Sequence, residues 1–96
     1  MSGGKAALVT GAGLGIGQGI AVELARQGYA VGVHYGGSAD GARETVATIE
    51  GEGGRAVAIQ GNLREVEACR RVVEETVEAF GGLDLLVNNA GVTRRC

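Results

Sequence analysis

The sequence predicts an α/β fold in which helices cover both faces of a parallel sheet. Short apolar runs alternate with longer segments whose apolar residues recur every three or four positions. Glycine separates these segments: the 96 residues include 19 Gly and no Pro. Abundant glycine beside ample Val, Ile and Leu indicates tight turns between ordered elements. The resulting order, βαβαβαβ, implies parallel strands, right-handed crossovers and three layers, α/β/α.

The first strand and the first helix occupy residues 5–28. Residues 5–10 form a short apolar run that suits a strand buried on both faces. A helix is expected from Gly15, and Gly28 marks its end. Its apolar residues recur every four positions: Ile16, Ile20 and Leu24.

The second strand and the second helix follow in the same way. Residues 29–34 are strand-like and run into a turn at Gly36 and Gly37. Ser38 or Asp40 is expected to cap the helix. Its apolar side carries Ala42, Val46 and Ile49, and it ends in glycines at Gly51, Gly53 and Gly54.

The third strand is predicted at residues 55–60, and the clearest helix of the chain comes after it. Asn62 followed three residues later by Glu65 resembles a capping box, which predicts that the helix begins there. Its apolar stripe has 3.6-residue spacing and consists of Val66, Cys69, Val72, Val73, Thr76, Val77 and Phe80. Gly81 and Gly82 end the helix, and residues 83–88 form the fourth strand.

Composition argues against several classes of function. The net charge is −2 without a basic cluster, whereas nucleic-acid and anionic-membrane partners need a concentrated basic face. No apolar run approaches the ~18 residues of a membrane span, and the start of the chain lacks a signal-peptide pattern, so we expect a cytoplasmic protein. His34 is the only histidine and no Cys-x-x-Cys occurs, so no metal site is predicted.

A glycine-rich loop joins the first strand to the first helix. It reads Thr10-Gly-Ala-Gly-Leu-Gly-Ile-Gly17. Free backbone N–H groups and the positive end of a helix dipole can meet a phosphate at such a turn, and β-carbons would block the approach. Gly11 allows the tight turn, while Gly15 and Gly17 let backbone and helix come close to a pyrophosphate. Gly19, inside the helix, is expected to serve close packing.

Two motifs together resemble the short-chain dehydrogenase/reductase family. The loop matches the family's Thr-Gly-x-x-x-Gly-x-Gly, and Asn88-Asn-Ala-Gly91 matches its Asn-Asn-Ala-Gly after the fourth strand. Since Val92-Thr93-Arg94 follows, the chain looks most similar to the 3-oxoacyl-(acyl-carrier-protein) reductases. The resemblance implies a Rossmann-type sheet in the order 3-2-1-4, with residues 1–96 as the NAD(P)-binding N-terminal part of the family's domain, and carbonyl or 3-oxoacyl reduction by hydride transfer.

The resemblance also assigns residues to the dinucleotide. Those around the pyrophosphate and its ribose would be Gly11, Gly13, Leu14, Gly15, Ile16 and Gly17. Asn62 and Leu63 would lie beside the adenine, although the family usually has Asp at the first of these positions, and Asn62 as a helix cap alone is the other interpretation. Asn89, Ala90 and Gly91 would line a ribose, while Asn88 is expected to tie strands together.

The end of the second strand favours NADP over NAD. NAD-selective folds place Asp or Glu there to accept a hydrogen bond from the ribose 2′-hydroxyl, but no acidic residue lies between Glu23 and Asp40. His34 and Tyr35 offer an imidazole and a hydroxyl that would not repel a 2′-phosphate. His34 as an ordinary strand-end residue is an equal alternative. NAD stays open, because Leu14 stands where NADP-using relatives often carry Arg or Lys.

The residues that would catalyse the family's reaction have no match in this sequence. The resemblance implies a Tyr that supplies a proton, a Lys four residues later that lowers its pKa, and a Ser after the fourth strand. Lys5 is the only lysine, and Met1 stands four residues before it. Because the family's domain is more than twice this length, we expect an incomplete fold: the N-terminal, cofactor-binding part of an oxidoreductase, inactive alone.

Two other functions stay open on the sequence. One is a non-catalytic module that binds a nucleotide or another chain. The other is a nucleotide-using enzyme of another class, such as a methyltransferase. Such an enzyme would need an acidic residue at the end of the second strand, and both its absence and the Asn-Asn-Ala-Gly motif argue against this class.

The predicted strand order also has a consequence for assembly. In the order 3-2-1-4 the fourth strand is an apolar edge, so we expect self-association through it. Full-length members of the family are homo-oligomeric by the same resemblance.

Overall fold

The computed structural model describes residues 5–13, 15–37 and 39–89. Strands and helices alternate along the chain as predicted. In chain order they are β1 (Ala6–Val9), α1 (Gly15–Arg26), β2 (Ala30–Tyr35), α2 (Asp40–Gly51), β3 (Ala56–Gln60), α3 (Val66–Phe80) and β4 (Leu85–Val87).

The four strands form one parallel sheet in the order β3-β2-β1-β4, which confirms the predicted topology. The two central strands are almost fully buried, since every residue of β1 and all but the last of β2 are buried. This burial explains their continuous apolar sequence. The outer strands β3 and β4 are more exposed.

Two apolar clusters cover the two faces of the sheet, so the three-layer arrangement is confirmed. Helices α1 and α2 pack on one face, around Val9, Val31 and Val33 of the central strands. Helix α3 packs on the other face, where Leu8 of β1 and Ile59 of β3 meet residues of the helix. Alternate residues of each strand therefore serve opposite layers.

Two helices begin differently from what the sequence predicts. Helix α2 starts at Asp40, and the residue before it, Ala39, makes no side-chain cap; Asp40 is thus inside the first turn, and Ser38 lies outside the described residues. Helix α3 starts at Val66, so the predicted capping box at Asn62 is wrong. Asn62 instead stabilises a turn, because its Oδ1 accepts from Arg64 N at 3.1 Å and its carbonyl accepts from Glu65 N at 3.0 Å.

Several residues of the predicted helix stripes lie outside the core. Ile16 at the start of α1 is 78% exposed, and Val66 at the start of α3 is 59% exposed. A β-carbon added to Gly19 would have nothing within 4 Å, so the expectation of close packing there is wrong. The helical period alone does not identify which end of a helix projects beyond the sheet.

No helix among the described residues combines the length and apolar character needed to cross a bilayer. In the same part of the chain, no three His, Cys, Asp or Glu side chains are grouped so that they could hold a metal ion.

Candidate functional site

The carboxyl ends of all four parallel strands meet at one edge of the sheet. The residues that directly follow the strands are Thr10, Gly36, Gly61 and Asn88. The chain runs outward from β1 through β2 to β3 and then crosses back to β4, on the other side of β1. Such a switch in strand order opens a crevice at the carboxyl edge, where open α/β sheets bind their ligands. Every described residue assigned to the cofactor belongs to this edge.

The loop between β1 and α1 needs glycine for its backbone shape. Gly11 has φ 66° and Gly15 has φ 34°, in the region that residues with a β-carbon seldom adopt. Helix α1 begins at Gly15, so the first N–H groups of the helix have no partner within it. With the positive end of the helix dipole, these groups form a site suited to a phosphate.

Gly17 lies where no side chain fits. A β-carbon there would overlap the carbonyl oxygen of Gly11, would lie 2.6 Å from Nδ2 of Asn89 and would lie 3.0 Å from Cα of Ala12. The helix therefore packs directly on the backbone of the loop. The residues present fit a dinucleotide phosphate, because the close packing at Gly17 and the positive φ angles of Gly11 and Gly15 leave backbone amides without side chains at the start of α1.

The start of α2 packs against the same loop, a contact that the sequence patterns do not indicate. A β-carbon on Gly41 would overlap the carbonyl oxygen of Gly13. One turn further on, the buried hydroxyl of Thr45 lies 3.1 Å from Ala12 O and 2.8 Å from Gly41 O. Neither Gly41 nor Thr45 belongs to a recognisable motif, although a glycine in the first turn of a helix is a signal of close backbone contact.

The side chain of His34 points into the protein and connects two loops. It is 2% exposed. Its Nδ1 accepts a hydrogen bond from Gly11 N at 3.0 Å, and its Nε2 lies 2.8 Å from Gly61 O. Burial lowers the pKa of this imidazole, and the hydrogen bond to Gly61 opposes that shift. Of the two interpretations of His34, the structure favours a structural strand-end residue over a ligand of the 2′-phosphate, because both ring nitrogens already have partners.

Tyr35 lies beside the glycine loop on the opposite face of the sheet. It is half-buried, packs against the cluster of α1 and α2, and its Cβ would be 3.5 Å from a β-carbon on Gly13. Gly36 and Gly37 follow it and are exposed. No carboxylate side chain stands at the end of β2 in residues 34–37, so this region has no acceptor of the kind that selects NAD.

Thr10, Asn88 and Asn89 join the glycine loop to the end of β4. Thr10 N donates to Val87 O at 3.0 Å, and its hydroxyl lies 3.2 Å from Asn88 Oδ1. The hydroxyl oxygen accepts from Asn89 N at 2.8 Å, and Asn89 Nδ2 donates to Gly11 O at 3.4 Å. Asn88 therefore ties the two strands together as expected. Thr10 begins the glycine motif, but its hydrogen bonds connect the glycine loop to the end of β4. The motif alone does not predict this structural role.

Asn62 and Leu63 follow β3 at the same edge but differ in accessibility. The Asn62 side chain is exposed, whereas Leu63 is 7% exposed and packs in the apolar cluster below α3. The Leu63 side chain therefore belongs to the core, and Asn62 is the polar group at the surface. Three other assigned residues, Leu14, Ala90 and Gly91, lie outside the described residues.

Comparison with known sequences identifies one family. The sequence profile of the family described as short chain dehydrogenase matches residues 5–96. The chain is 48% identical over 90 residues to the 3-oxoacyl-[acyl-carrier-protein] reductase FabG of Staphylococcus aureus, a match that covers 94% of this chain and 37% of the relative. It is 50% identical over 91 residues to the hydroxynaphthalene reductase arp2 of Aspergillus fumigatus, covering 95% and 33% of the two chains. The chain thus spans about a third of the length of these curated relatives.

Solved structures show the same relationship. A dehydrogenase/reductase from Sinorhizobium meliloti superimposes with a TM-score of 0.90 at 50% identity, over 95% of this chain and 36% of that one. A hydroxysteroid dehydrogenase from Escherichia coli gives a TM-score of 0.86 at 37% identity, over 93% and 37%.

Proposed function

Because the chain belongs to the short chain dehydrogenase family, we propose that its 96 residues are the NAD(P)-binding part of an oxidoreductase that reduces a carbonyl group by hydride transfer. The observation that carries this proposal is the contact of Gly17 with the loop backbone and Asn89. It brings Gly17 of the first family motif and Asn89 of the second to one side of the crevice. A dinucleotide bound there would have its pyrophosphate against the start of α1.

The dinucleotide, when bound, supplies the hydride for reduction. The residues of this chain would bind and orient it: the amides at the start of α1 face the phosphates, and Asn62 lies exposed at the end of β3 to meet the adenine. Reduction of a ketone also needs a proton for the developing alkoxide. This sequence contains no Tyr-x-x-x-Lys pair, so we propose that the 96-residue chain by itself does not catalyse the reaction.

The substrate class that we propose is a 3-oxoacyl thioester carried by an acyl carrier protein. Its support is the Asn88-Asn-Ala-Gly-Val-Thr-Arg94 run together with 48% identity to a reductase of that name. A relative at similar identity is named for a hydroxynaphthalene substrate. Both relatives are named reductases. We therefore propose carbonyl reduction first, and the 3-oxoacyl thioester as the more specific substrate.

The dinucleotide that we propose is NADP, with NAD as the alternative. The support is the end of β2, where the residues 34–37 carry no carboxylate. A carboxylate there would accept from the 2′-hydroxyl of NAD and repel the 2′-phosphate of NADP. The buried ring of His34 contributes no charge to this region. Among the described residues, the backbone of Gly36 and Gly37 and the hydroxyl of Tyr35 are the groups that could hydrogen-bond a 2′-phosphate there.

Self-association through β4 is a further part of the proposal. Among the described residues, β4 pairs with β1 alone, and its central residue, Leu86, is 41% exposed. A largely apolar cavity of about 160 Å³ lies between this strand and α3, lined by residues that include Leu8, Val72 and Val73. An open strand edge beside apolar surface favours pairing between chains. A cytoplasmic location stays a prediction of the sequence.

Titration of the purified 96-residue chain with NADPH and with NADH tests the proposed function. We expect saturable binding of both, with tighter binding of NADPH, and no NADPH oxidation when a 3-oxoacyl thioester is added. A chain that binds neither dinucleotide would contradict the cofactor site. Turnover by the pure chain would contradict the proposal that these residues only bind and orient the cofactor.

A further inference from the structure

We propose that His34 is a positioning residue of the dinucleotide site: its neutral form, protonated on Nε2, holds the glycine loop in its binding shape and links it to the loop after β3. Dinucleotide affinity would then fall when His34 takes up a second proton. The inference rests on the proposed cofactor site.

The hydrogen bonds of residue 34 fix both loops. Its Nδ1 accepts from Gly11 N at 3.0 Å, and its carbonyl oxygen accepts from Ala12 N at 2.8 Å. On the other side its Nε2 lies 2.8 Å from Gly61 O, and the amide of Gly61 donates to Tyr35 O at 3.1 Å. One buried residue therefore determines the direction of the amides of Gly11 and Ala12 in the glycine loop. The amides that follow them are those available to a phosphate at the start of α1.

Only one protonation state satisfies both ring contacts. The amide of Gly11 is a donor, so Nδ1 must be an unprotonated acceptor. The carbonyl of Gly61 is an acceptor, so Nε2 must carry the hydrogen. This state is the neutral Nε2–H tautomer. In the imidazolium both nitrogens are donors, so the Nδ1 hydrogen would face the N–H of Gly11, and that contact would break.

The surroundings of His34 favour the neutral ring. Burial lowers its pKa, because a charged ring loses solvation there. The adjacent strands carry no ionisable side chain: β1 is Ala6–Val9 and β3 is Ala56–Gln60.

Helix α3, on the same face, brings a sulfur and the ion pair of Arg71 with Glu75 near this end of the sheet. Cys69 is buried in the cluster below the helix. Arg71 donates to Gln60 O at 2.7 Å, and its guanidinium would lie 3.3 Å from a β-carbon on Gly61. The guanidinium of Arg71 is paired with the carboxylate of Glu75, so the shift of the His34 pKa comes from burial and from the hydrogen bond to Gly61. On β2 itself the neighbouring Tyr35 packs on the opposite face.

Two substitutions separate the two contacts of the ring. In His34→Asn the amide oxygen takes the place of Nδ1 and can accept from Gly11, while the contact with Gly61 is lost and nothing titrates. In His34→Gln the amide nitrogen takes the place of Nε2 and can donate to Gly61, while the contact with Gly11 is lost. Both variants bury a similar amide, so a merely structural role would give them similar effects.

The test measures the dissociation constants of NADP⁺ and NAD⁺ for the 96-residue chain between pH 5 and pH 7.5. At pH 7.5 we expect His34→Asn to stay within about threefold of the original chain and His34→Gln to bind at least about tenfold more weakly. As the pH falls toward 5, the affinity of the original chain should decrease relative to that of His34→Asn. The 2′-phosphate of NADP⁺ titrates near pH 6, and NAD⁺, which lacks it, controls for that change.

Three results would overturn the inference. Equal affinities of the Asn and Gln variants would show that the contact with Gly11 does not position the loop. The same pH profile in the original chain and in His34→Asn would show that the ring is not the titrating group. If the original chain binds neither dinucleotide at any pH, the proposed function fails and the inference fails with it.

A spectroscopic measurement on the unsubstituted chain tests the tautomer directly. The ¹⁵N chemical shifts of the ring should show hydrogen on Nε2 and none on Nδ1 at pH 7. Hydrogen on Nδ1 at that pH would overturn the inference even if both variants fail to fold.

Discussion

Gly17 at the start of α1 and Asn89 after β4 lie so close that a β-carbon on the glycine would be 2.6 Å from Nδ2 of the asparagine. The two residues belong to different sequence motifs at opposite ends of the chain. Their contact, together with the hydrogen bond from Asn89 Nδ2 to Gly11 O at 3.4 Å, joins both motifs at the mouth of one crevice.

Gly17→Ala should weaken dinucleotide binding, because the new methyl group forces the helix, the loop or Asn89 to move. We expect at least about tenfold weaker binding of NADPH and a loss of about 1–3 kcal/mol in the free energy of unfolding. Gly19→Ala is the matched control in the same helix, since its β-carbon would meet nothing within 4 Å. That control should gain up to about 1 kcal/mol of stability and bind NADPH as before. Equal affinities of the two variants would contradict the close contact.

Thr45→Val should destabilise the contact between α2 and the glycine loop. The hydroxyl lies 3.1 Å from Ala12 O in a residue that is 2% exposed, and valine would leave that carbonyl without its donor at a cost of about 1–3 kcal/mol. Thr48→Val is the control, because Thr48 is exposed and its hydroxyl reaches only Glu44 O of the same helix. It should change stability by less than about 0.5 kcal/mol. Urea unfolding of both variants measures the difference, and similar losses would argue against the role of Ala12 O.

The stability of the chain should depend on pH through His34, its only histidine. Burial lowers the pKa of the folded imidazole below its ordinary value of 6.5. Between those two values the unfolded chain binds more protons, so the free energy of unfolding rises with pH and levels off above about 6.5. Urea unfolding from pH 5 to pH 8 should show this rise in the original chain, and the rise should be smaller in His34→Asn. Identical profiles would show that the folded imidazole titrates normally.

Leu86→Lys should reduce self-association. The residue is 41% exposed at the centre of the outer strand β4, and a charge there opposes pairing of strands between chains. We expect a dissociation constant for the self-associated form that is raised by about tenfold or more, measured by sedimentation velocity. Val66→Lys, at a residue that is 59% exposed at the start of α3, adds the same charge elsewhere. If both variants dissociate equally, β4 is not the interface, and a monomeric original chain would contradict the proposal outright.

The sequence contains enough local information to predict the sheet and the glycine loop. The apolar runs of β1 and β2 are patterns of neighbouring residues, and so are the glycines between elements. The strands and the turns can therefore be predicted without a structure. The positive φ angles of Gly11 and Gly15 agree with the predicted tight turn for the same reason.

Two features could not be read from the sequence, for different physical reasons. Asn62 and Glu65 have the spacing of a capping box, but Asn62 forms a turn with Arg64 and the helix begins at Val66. The two partners of the His34 ring, Gly11 and Gly61, come from other strands' ends, so nothing beside His34 in the sequence indicates that it is buried. The first is a competition between two local hydrogen-bond patterns of one side chain, and the second is a tertiary contact that no local pattern indicates.

The most direct test of the cofactor site is a map of backbone amide chemical shifts as NADP⁺ is added to the ¹⁵N-labelled 96-residue chain. The proposal predicts saturable shifts at Gly13, Gly15, Ile16 and Gly17, while glycines at the opposite edge of the sheet, such as Gly28, Gly53 and Gly81, stay unchanged. Shifts absent from the glycine loop, or equal at both edges, would contradict the proposed dinucleotide site.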